Sequence, residues 1–253
     1  MAAWRGLDGF EDMPFLPEPS GTADASCVEP YPDELLGDLS AGAQGTRYAA
    51  RESISLAFVT ALQHLPPWQR AALVLCDVLG FRPAEAAEIL DSSAEAVSSA
   101  LDGARAVIAA QLLPGQRDQP PPPGSPCERE VAERFASSLE RGDTDGIAAL
   151  LTDDAWLIAP PVPFWYRGRA AAEFLVAVPC RAGTPRFRLI ATRANGQPAF
   201  GCYLSDPADP AAPIARAHSL IVLTLAGDRV SGITRFTDNS VLRLFGLPET
   251  LPG

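Results

Sequence analysis

Four consecutive prolines at positions 120–123 divide the chain into two parts of different character. Proline lacks a backbone N–H and favours the extended polyproline II conformation, so neither a helix nor a sheet can continue through this segment. We therefore expect residues 114–127 to form a semi-rigid linker between two domains. Residues 1–45 are rich in Pro, Gly, Asp and Glu and predict an irregular N-terminal arm.

The part before the linker, residues 46–113, places apolar residues at helical spacing. A first helix is predicted from Ser53 to Leu62, before the Pro66-Pro67 break. Three further helices are predicted. The helix Trp68–Leu79 is ended by a glycine, the helix Pro83–Leu90 begins with a proline, and the helix Ala94–Leu112 is capped by Asp91-Ser92-Ser93. This half is predicted to be an all-α, helix-turn-helix domain.

The part after the linker, residues 128–253, begins with helical patterns and ends with alternating ones. The predicted order is two helices, a strand, a third helix and four strands: 128–140, 143–151, 155–159, 169–178, 186–193, 199–204, 214–225 and 229–237. Helices followed by an antiparallel meander predict an α+β domain with its helices on one side of a curved sheet.

Composition excludes several function classes. The net charge is −11, and all 20 basic residues are arginine, which argues against a general nucleic-acid binder. Five cysteines lie far apart without a CxxC pair, and we expect them to be reduced thiols. The sequence shows neither a secretory signal nor an apolar run of ~18 residues, so we expect a cytoplasmic protein without a membrane contact. Two histidines and no clustered thiols predict no metal site, and no cofactor is expected.

The segment LPPWQRAALVLCDVLGFRPAEAAEILDSSAEAVSSALDGARAVI, residues 65–108, resembles region 4 of extracytoplasmic-function sigma factors. EPYPDELL at 29–36 is similar to the linker that precedes region 4 in members with a SnoaL-like tail. The resemblance implies DNA and RNA polymerase as partners. Only 28 residues precede Glu29, so we expect region 2 of that family to be missing.

The helix that would read DNA bases carries little positive charge. Between residues 94 and 108 the only basic residue is Arg105, set against Glu95 and Asp102. A DNA-binding interpretation would depend on Ser98, Ser99 and Arg105, and serines are weak substitutes for the Arg, Asn or Gln that read base edges. The sequence favours instead a helical scaffold kept for packing or dimerisation, and it leaves open whether the chain forms a homodimer.

The segment ERFASSLERGDTDGIAALLTDDAWLIAPPVPFWYRGRAAAEFL, residues 133–175, resembles the opening of the SnoaL and ketosteroid-isomerase-like superfamily. The resemblance implies a cone-shaped α+β barrel with an internal pocket. In the isomerases, a tyrosine on the first helix and an aspartate on the first strand act on the substrate. Phe135 and Ala159 align with those positions here, so classical ketosteroid isomerisation is excluded.

Other residues are candidates for a site in this pocket. Strict alternation along strand 214–225 would place Arg216, His218, Leu220 and Val222 on one face. We expect His218 to act as general acid or base and Arg216 to hold a carboxylate or enolate oxygen, although His218 could equally be a hydrogen-bonded sheet residue. The further catalytic candidates are Asp154, Tyr166 and Asp238, and the substrate-contacting candidates are Phe135, Trp156, Trp165, Leu220 and Val222.

Three functions remain open at this point. The first is an enzyme that performs cyclisation, isomerisation, dehydration or epoxide opening on a hydrophobic small molecule, with the helical half as a repurposed scaffold. The second is a sigma-like transcription regulator whose SnoaL-like tail modulates DNA or polymerase binding. The third is a ligand-binding module without turnover. The loss of charge on the DNA-reading helix favours the first.

Overall fold

A computed structural model describes residues 16–22, 29–35, 62, 65–111, 120–160, 162–177, 186–205 and 214–252. The chain divides into two compact units: a helical unit of residues 28–113, and an α+β unit that combines residues 1–27 with 114–253. The predicted helix from Ser53 to Leu62 lies outside the described residues, apart from Leu62, which is helical.

The described residues of the helical unit form three α-helices: α1 (Pro67–Leu73), α2 (Pro83–Ile89) and α3 (Ala94–Gln111). A proline occupies the first position of α1 and of α2, where its fixed φ suits a helix and its missing N–H costs nothing. A π-helical segment, Val74–Val78, continues α1 in place of the uniform helix that was predicted, and Gly80 then adopts a positive φ of 77°. Two small apolar clusters hold the helices together, centred on Leu73 with Leu101 and on Ala86 with Val97.

The described residues of the α+β unit form three α-helices and eight strands. The helices are α4 (Pro126–Glu140), α5 (Thr144–Leu150) and α6 (Arg169–Val176), and the strands are β1 (Gly21–Thr22), β2 (Leu151–Ile158), β3 (Phe164–Arg167), β4 (Arg186–Ala194), β5 (Gln197–Ser205), β6 (Ala215–Ala226), β7 (Arg229–Phe236) and β8 (Thr250–Leu251). The sheet order is β1-β3-β2-β7-β6-β5-β4, with β8 paired to β6. Only β2 and β7 run parallel among these pairs. The helical front half and the α+β fold predicted from the sequence are confirmed.

The main core lies between the helices and one face of this sheet, which we call the helix face. Phe135 and Leu139 of α4 meet sheet residues Leu223 and Ile233 there, all fully buried. The opposite side, the outer face, is covered over part of its area by a 3-10 helix, Asn239–Phe245. An added Cβ at Gly201 would lie 2.5 Å from Leu247, so glycine is what allows this close approach.

Among the described elements, five were not predicted from the sequence: β1, β3, β8, the 3-10 helix Asn239–Phe245 and a short 3-10 helix, Asp33–Leu35. Strand β3 lies between the predicted strand 155–159 and the predicted helix 169–178, and it pairs with β2. Strand β1, from the arm that was predicted to be irregular, pairs with β3. Helix α4 also begins inside the predicted linker, because Ser125 accepts a hydrogen bond from the Glu128 N–H as N-cap and Pro126 is its first residue.

Candidate functional site

A β-bulge in β6 changes the faces that alternation predicts. Arg216 pairs with Leu204, and Ser219 pairs with Cys202, two residues away on β5. Arg216 and Ser219 therefore share a face, which requires one extra residue between them in β6. Strict alternation predicted one common face for Arg216, His218, Leu220 and Val222. That prediction is wrong, because alternation after the bulge puts Leu220 and Val222 on the outer face.

The helix face carries a polar cluster beside its apolar core, made of the buried Cys202, Ser219 and Arg235 and the partly buried His218. Arg235 is paired in register with Ile221, a core residue, and its side chain is buried. Its Nε donates to Ser219 Oγ at 3.3 Å, and its Nη2 lies 2.5 Å from His218 Nε2. Burial lowers the pKa of the Arg235 guanidinium and raises the pKa of the Cys202 thiol to about 11.

His218 is electrically neutral in this cluster. Burial, and then the positive charge of Arg235, lower the pKa of His218 to about 3. Because Arg235 can only donate, Nε2 of His218 accepts the hydrogen bond and the ring proton sits on Nδ1. His218 therefore reaches the predicted region, but a group with this pKa is a poor general acid or base near neutral pH.

Arg216 does not join the cluster. Its side chain is exposed, and it pairs in register with Leu204 and Thr250 near one end of β6. The arginine in the interior is Arg235, to which no role was assigned from the sequence. The signal was present, since Arg235 lies two residues after Ile233 and must share its face.

Two of the predicted aromatic residues do lie in the interior. Phe135 is fully buried, and its ring stacks on Phe200 with centroids 6.2 Å apart. Tyr166 stacks on Phe174 at 4.3 Å, and burial together with the charge of Glu18 raises its pKa to about 12. A phenol with that pKa stays protonated and contributes packing area to the core.

The side chains of the two predicted tryptophans lie on the outer face of the sheet, away from the core. Trp156 packs over Gly232, whose added Cβ would meet the indole at 2.5 Å, and Trp165 packs in the same manner over Gly21. Core residues Leu157 and Tyr166 alternate with them along β2 and β3, so both indoles lie on the outer face. The predicted contact of Trp156 and Trp165 with an interior substrate is wrong for this reason.

The two carboxylate candidates hold local structure. Asp154 accepts a hydrogen bond from Thr152 Oγ1 at 2.8 Å. Asp238 is exposed and caps the 3-10 helix, where hydrogen bonds from Ser240 lower its pKa. Neither of these aspartates belongs to the helix-face core. Cysteine, histidine and acidic side chains form no cluster of three that could hold a metal ion within the described residues.

In the helical unit, the predicted DNA-contacting residues are committed to internal contacts or are uncharged. Arg105 forms a two-pronged ion pair with Asp77, at 3.0 Å and 2.7 Å, which joins α3 to the π-helical segment. Ser98 donates its hydroxyl to the Ala94 carbonyl, and Ser99 is exposed. Arg105 therefore pairs with a carboxylate of its own chain, whereas DNA binding would require it to contact a phosphate.

The described part of this unit carries a net negative charge. Residues 65–111 contain three arginines and six acidic residues, so their net charge is −3. Arg82 pairs with Glu85 at 2.7 Å, and Arg70 donates to the Leu65 carbonyl at 3.0 Å. Exposed apolar side chains are found instead, including Leu79 at 60% and Phe81 at 39% on the turn before α2, and Ile89 at 55%.

These two folds define a class of protein: a helical unit of the helix-turn-helix type joined to an α+β unit. Comparison with known proteins agrees with this. The family model for the sigma-like domain of the response regulator PhyR matches residues 62–111. The extracytoplasmic-function sigma factor SigG of Mycobacterium tuberculosis is 38% identical over 239 residues, which cover 92% of this chain and 62% of SigG.

A second sigma factor of the same organism, SigJ, is 31% identical over 125 residues, covering 49% of this chain and 38% of SigJ. The crystal structure of SigJ has a TM-score of 0.56 and 20% identity, covering 90% of this chain and 76% of the solved one, which supports the fold. The chain is thus similar to extracytoplasmic-function sigma factors over most of its own length. It spans about 62% of the SigG sequence.

The comparisons favour the regulator interpretation, and the enzyme interpretation gains no support from the names of these sigma-factor relatives. No helix in the described part of the chain is long and apolar enough to cross a membrane.

Proposed function

We propose that this chain is a transcription regulator of the extracytoplasmic sigma-factor type, which acts on RNA polymerase through its helical unit and is modulated by its α+β unit. The observation that carries the proposal is the 38% identity to SigG over 239 residues, because that length runs through both units in the same order. Similarity of a helix-turn-helix alone would support only a fold.

The helical unit is suited to a protein partner. Each of its three described arginines is engaged with its own chain, whereas Leu79, Phe81 and Ile89 are exposed to solvent. Apolar side chains that become fully buried act as anchors at protein interfaces, whereas DNA binding depends on Lys or Arg side chains that can reach phosphates. We therefore assign the exposed turn formed by Leu79, Gly80 and Phe81 to the polymerase contact, and we do not assign base reading to α3.

The α+β unit is assigned a regulatory role. Its interior holds a neutral histidine and a buried arginine, with His218 titrating far below neutral pH. An acid–base enzyme needs a group whose pKa lies near the working pH, so this arrangement favours sensing over catalysis.

The test is binding of the full chain to RNA polymerase core enzyme of Mycobacterium tuberculosis, measured by biolayer interferometry. The double variant Leu79→Ser/Phe81→Ser should weaken the affinity by about tenfold or more, the usual effect of losing interface anchors. Leu244→Ser is the matched control, because Leu244 is equally exposed, at 59%, but belongs to the α+β unit. Failure of the wild-type chain to bind, or equal losses in both variants, would refute the proposal.

A further inference from the structure

Arg235 carries a positive charge in the interior of the α+β unit, and no carboxylate among the described residues pairs with it. Its relative exposure is 5%, and its hydrogen-bond partners are the Ser219 hydroxyl and the neutral ring of His218. Among the ion pairs formed by the described residues, none involves Arg235. Arginines elsewhere in this unit do find carboxylates, as Arg193 does with Glu128 at 2.6 Å.

A buried charge of this kind is costly unless something compensates it. Removing a guanidinium from water has an effective penalty of several kcal/mol, and two neutral acceptors return only part of it. A guanidinium offers five N–H donors in a planar fork that matches a carboxylate. Arg235 uses one donor on Nε and one on Nη2, so Nη1 is left without an acceptor among the described residues.

The surroundings indicate what kind of anion fits. Ile221 pairs with Arg235 on the helix face, and Phe200 pairs with Ile221, so the charge is bordered by apolar side chains. Ile158 pairs with Thr234, which makes Ala159 and Arg235 the next residues along these two neighbouring strands. The neighbour of Arg235 on that side is therefore Ala159, whose methyl side chain offers no polar partner to the guanidinium.

We propose that the interior of the α+β unit binds a small monocarboxylate with an apolar body, seated by its carboxylate on Arg235 beside His218 and Ser219. The apolar body lies against the core residues of the helix face. The site is defined by the α+β unit alone, so this proposal stands or falls independently of polymerase binding.

Paired probes test the proposal on the full chain at pH 7.5: benzoate against benzamide, and 2-naphthoate against 2-naphthamide, titrated by isothermal calorimetry. At least one acid should bind about tenfold or more tightly than its amide, since each pair differs chiefly in the charge that Arg235 would meet. Equal affinity of acid and amide in both pairs, or no binding of either acid below 10 mM ligand, overturns the proposal.

Two variants locate the site. Arg235→Met should remove the preference for the acid, whereas Arg243→Met should keep it, because Arg243 is 70% exposed and pairs with Glu249. A preference that survives in Arg235→Met overturns the assignment of the anion to this residue. If Arg235→Met does not fold, Ser219→Ala serves in its place: it frees the Arg235 Nε and should change the acid affinity but leave the amide affinity unaltered.

Discussion

Replacing His218 with glutamine should make the protein less sensitive to acid. His218 has a pKa of about 3 in the folded chain, because burial and Arg235 oppose its positive form. In the unfolded chain the same ring titrates near ~6.5. The unfolded state therefore takes up a proton between these two values and the folded state does not, so stability is complete above about pH 6.5 and declines as the pH falls toward 3.

The size of this effect follows from the linkage relation. Each pH unit inside the window costs about 1.4 kcal/mol, so lowering the pH from 7.5 to 4.5 removes roughly 2–3 kcal/mol of unfolding free energy through His218 alone. Glutamine keeps an acceptor that Arg235 can reach and does not titrate. Lowered carboxylate pKa values, such as those of Asp143 and Asp238, add further acid sensitivity, but they do so equally in both proteins.

The measurement is urea unfolding at pH 7.5 and at pH 4.5, followed by tryptophan fluorescence, to which Trp156 and Trp165 of the α+β unit contribute. Between these pH values the wild type should lose about 2–3 kcal/mol more than His218→Gln. Equal losses in the two proteins would mean that His218 is protonated in the folded state, which would refute the description of this cluster.

The remaining predictions concern packing and charge. Phe135→Ala should lower the unfolding free energy by about 3–5 kcal/mol in urea titrations, and a loss below 1 kcal/mol would contradict its place in the core. Gly232→Ala should cost roughly 1–3 kcal/mol by the same assay, because its Cβ would collide with Trp156; a stabilised variant would contradict the packing. A double-mutant cycle on Asp77 and Arg105 should give a coupling below about 1 kcal/mol, since the arginine is 54% exposed; a larger value would be inconsistent with that exposure. The full chain should give no salt-dependent mobility shift with promoter duplexes, whereas a sub-micromolar, sequence-dependent shift would contradict the assignment of α3.

The elements with strong local signals were predictable from the sequence. Pro83 and the Asp91-Ser92-Ser93 turn mark helix starts, and the Ala226–Arg229 turn joins β6 to β7 as expected. Strand β3 was missed because it is only four residues long. Of its two partners in the sheet, β1 lies far away in the sequence and β2 was predicted too short. Pairing partners of this kind leave no periodic trace.

The site was harder to predict than the fold. Alternation assigns faces correctly only while the register is unbroken, and the extra residue before Ser219 in β6 reversed the assignment of Leu220 and Val222. The family resemblance singled out Phe135 and Ala159, which align with catalytic positions. It assigned no role to Arg235 on the last long strand. The buried charge was readable from the Ile-Thr-Arg alternation at 233–235, but its isolation from carboxylates depends on tertiary structure.

Hydrogen–deuterium exchange on the full chain, with and without RNA polymerase core enzyme, tests the central claim most directly. The regulator account predicts slower exchange in peptides that cover Leu79 to Ile89, because the exposed turn and α2 would become buried against the polymerase. Peptides from β4 to β6 should exchange at the same rate in both samples. Unchanged exchange across residues 65–111 at saturating polymerase would contradict the account.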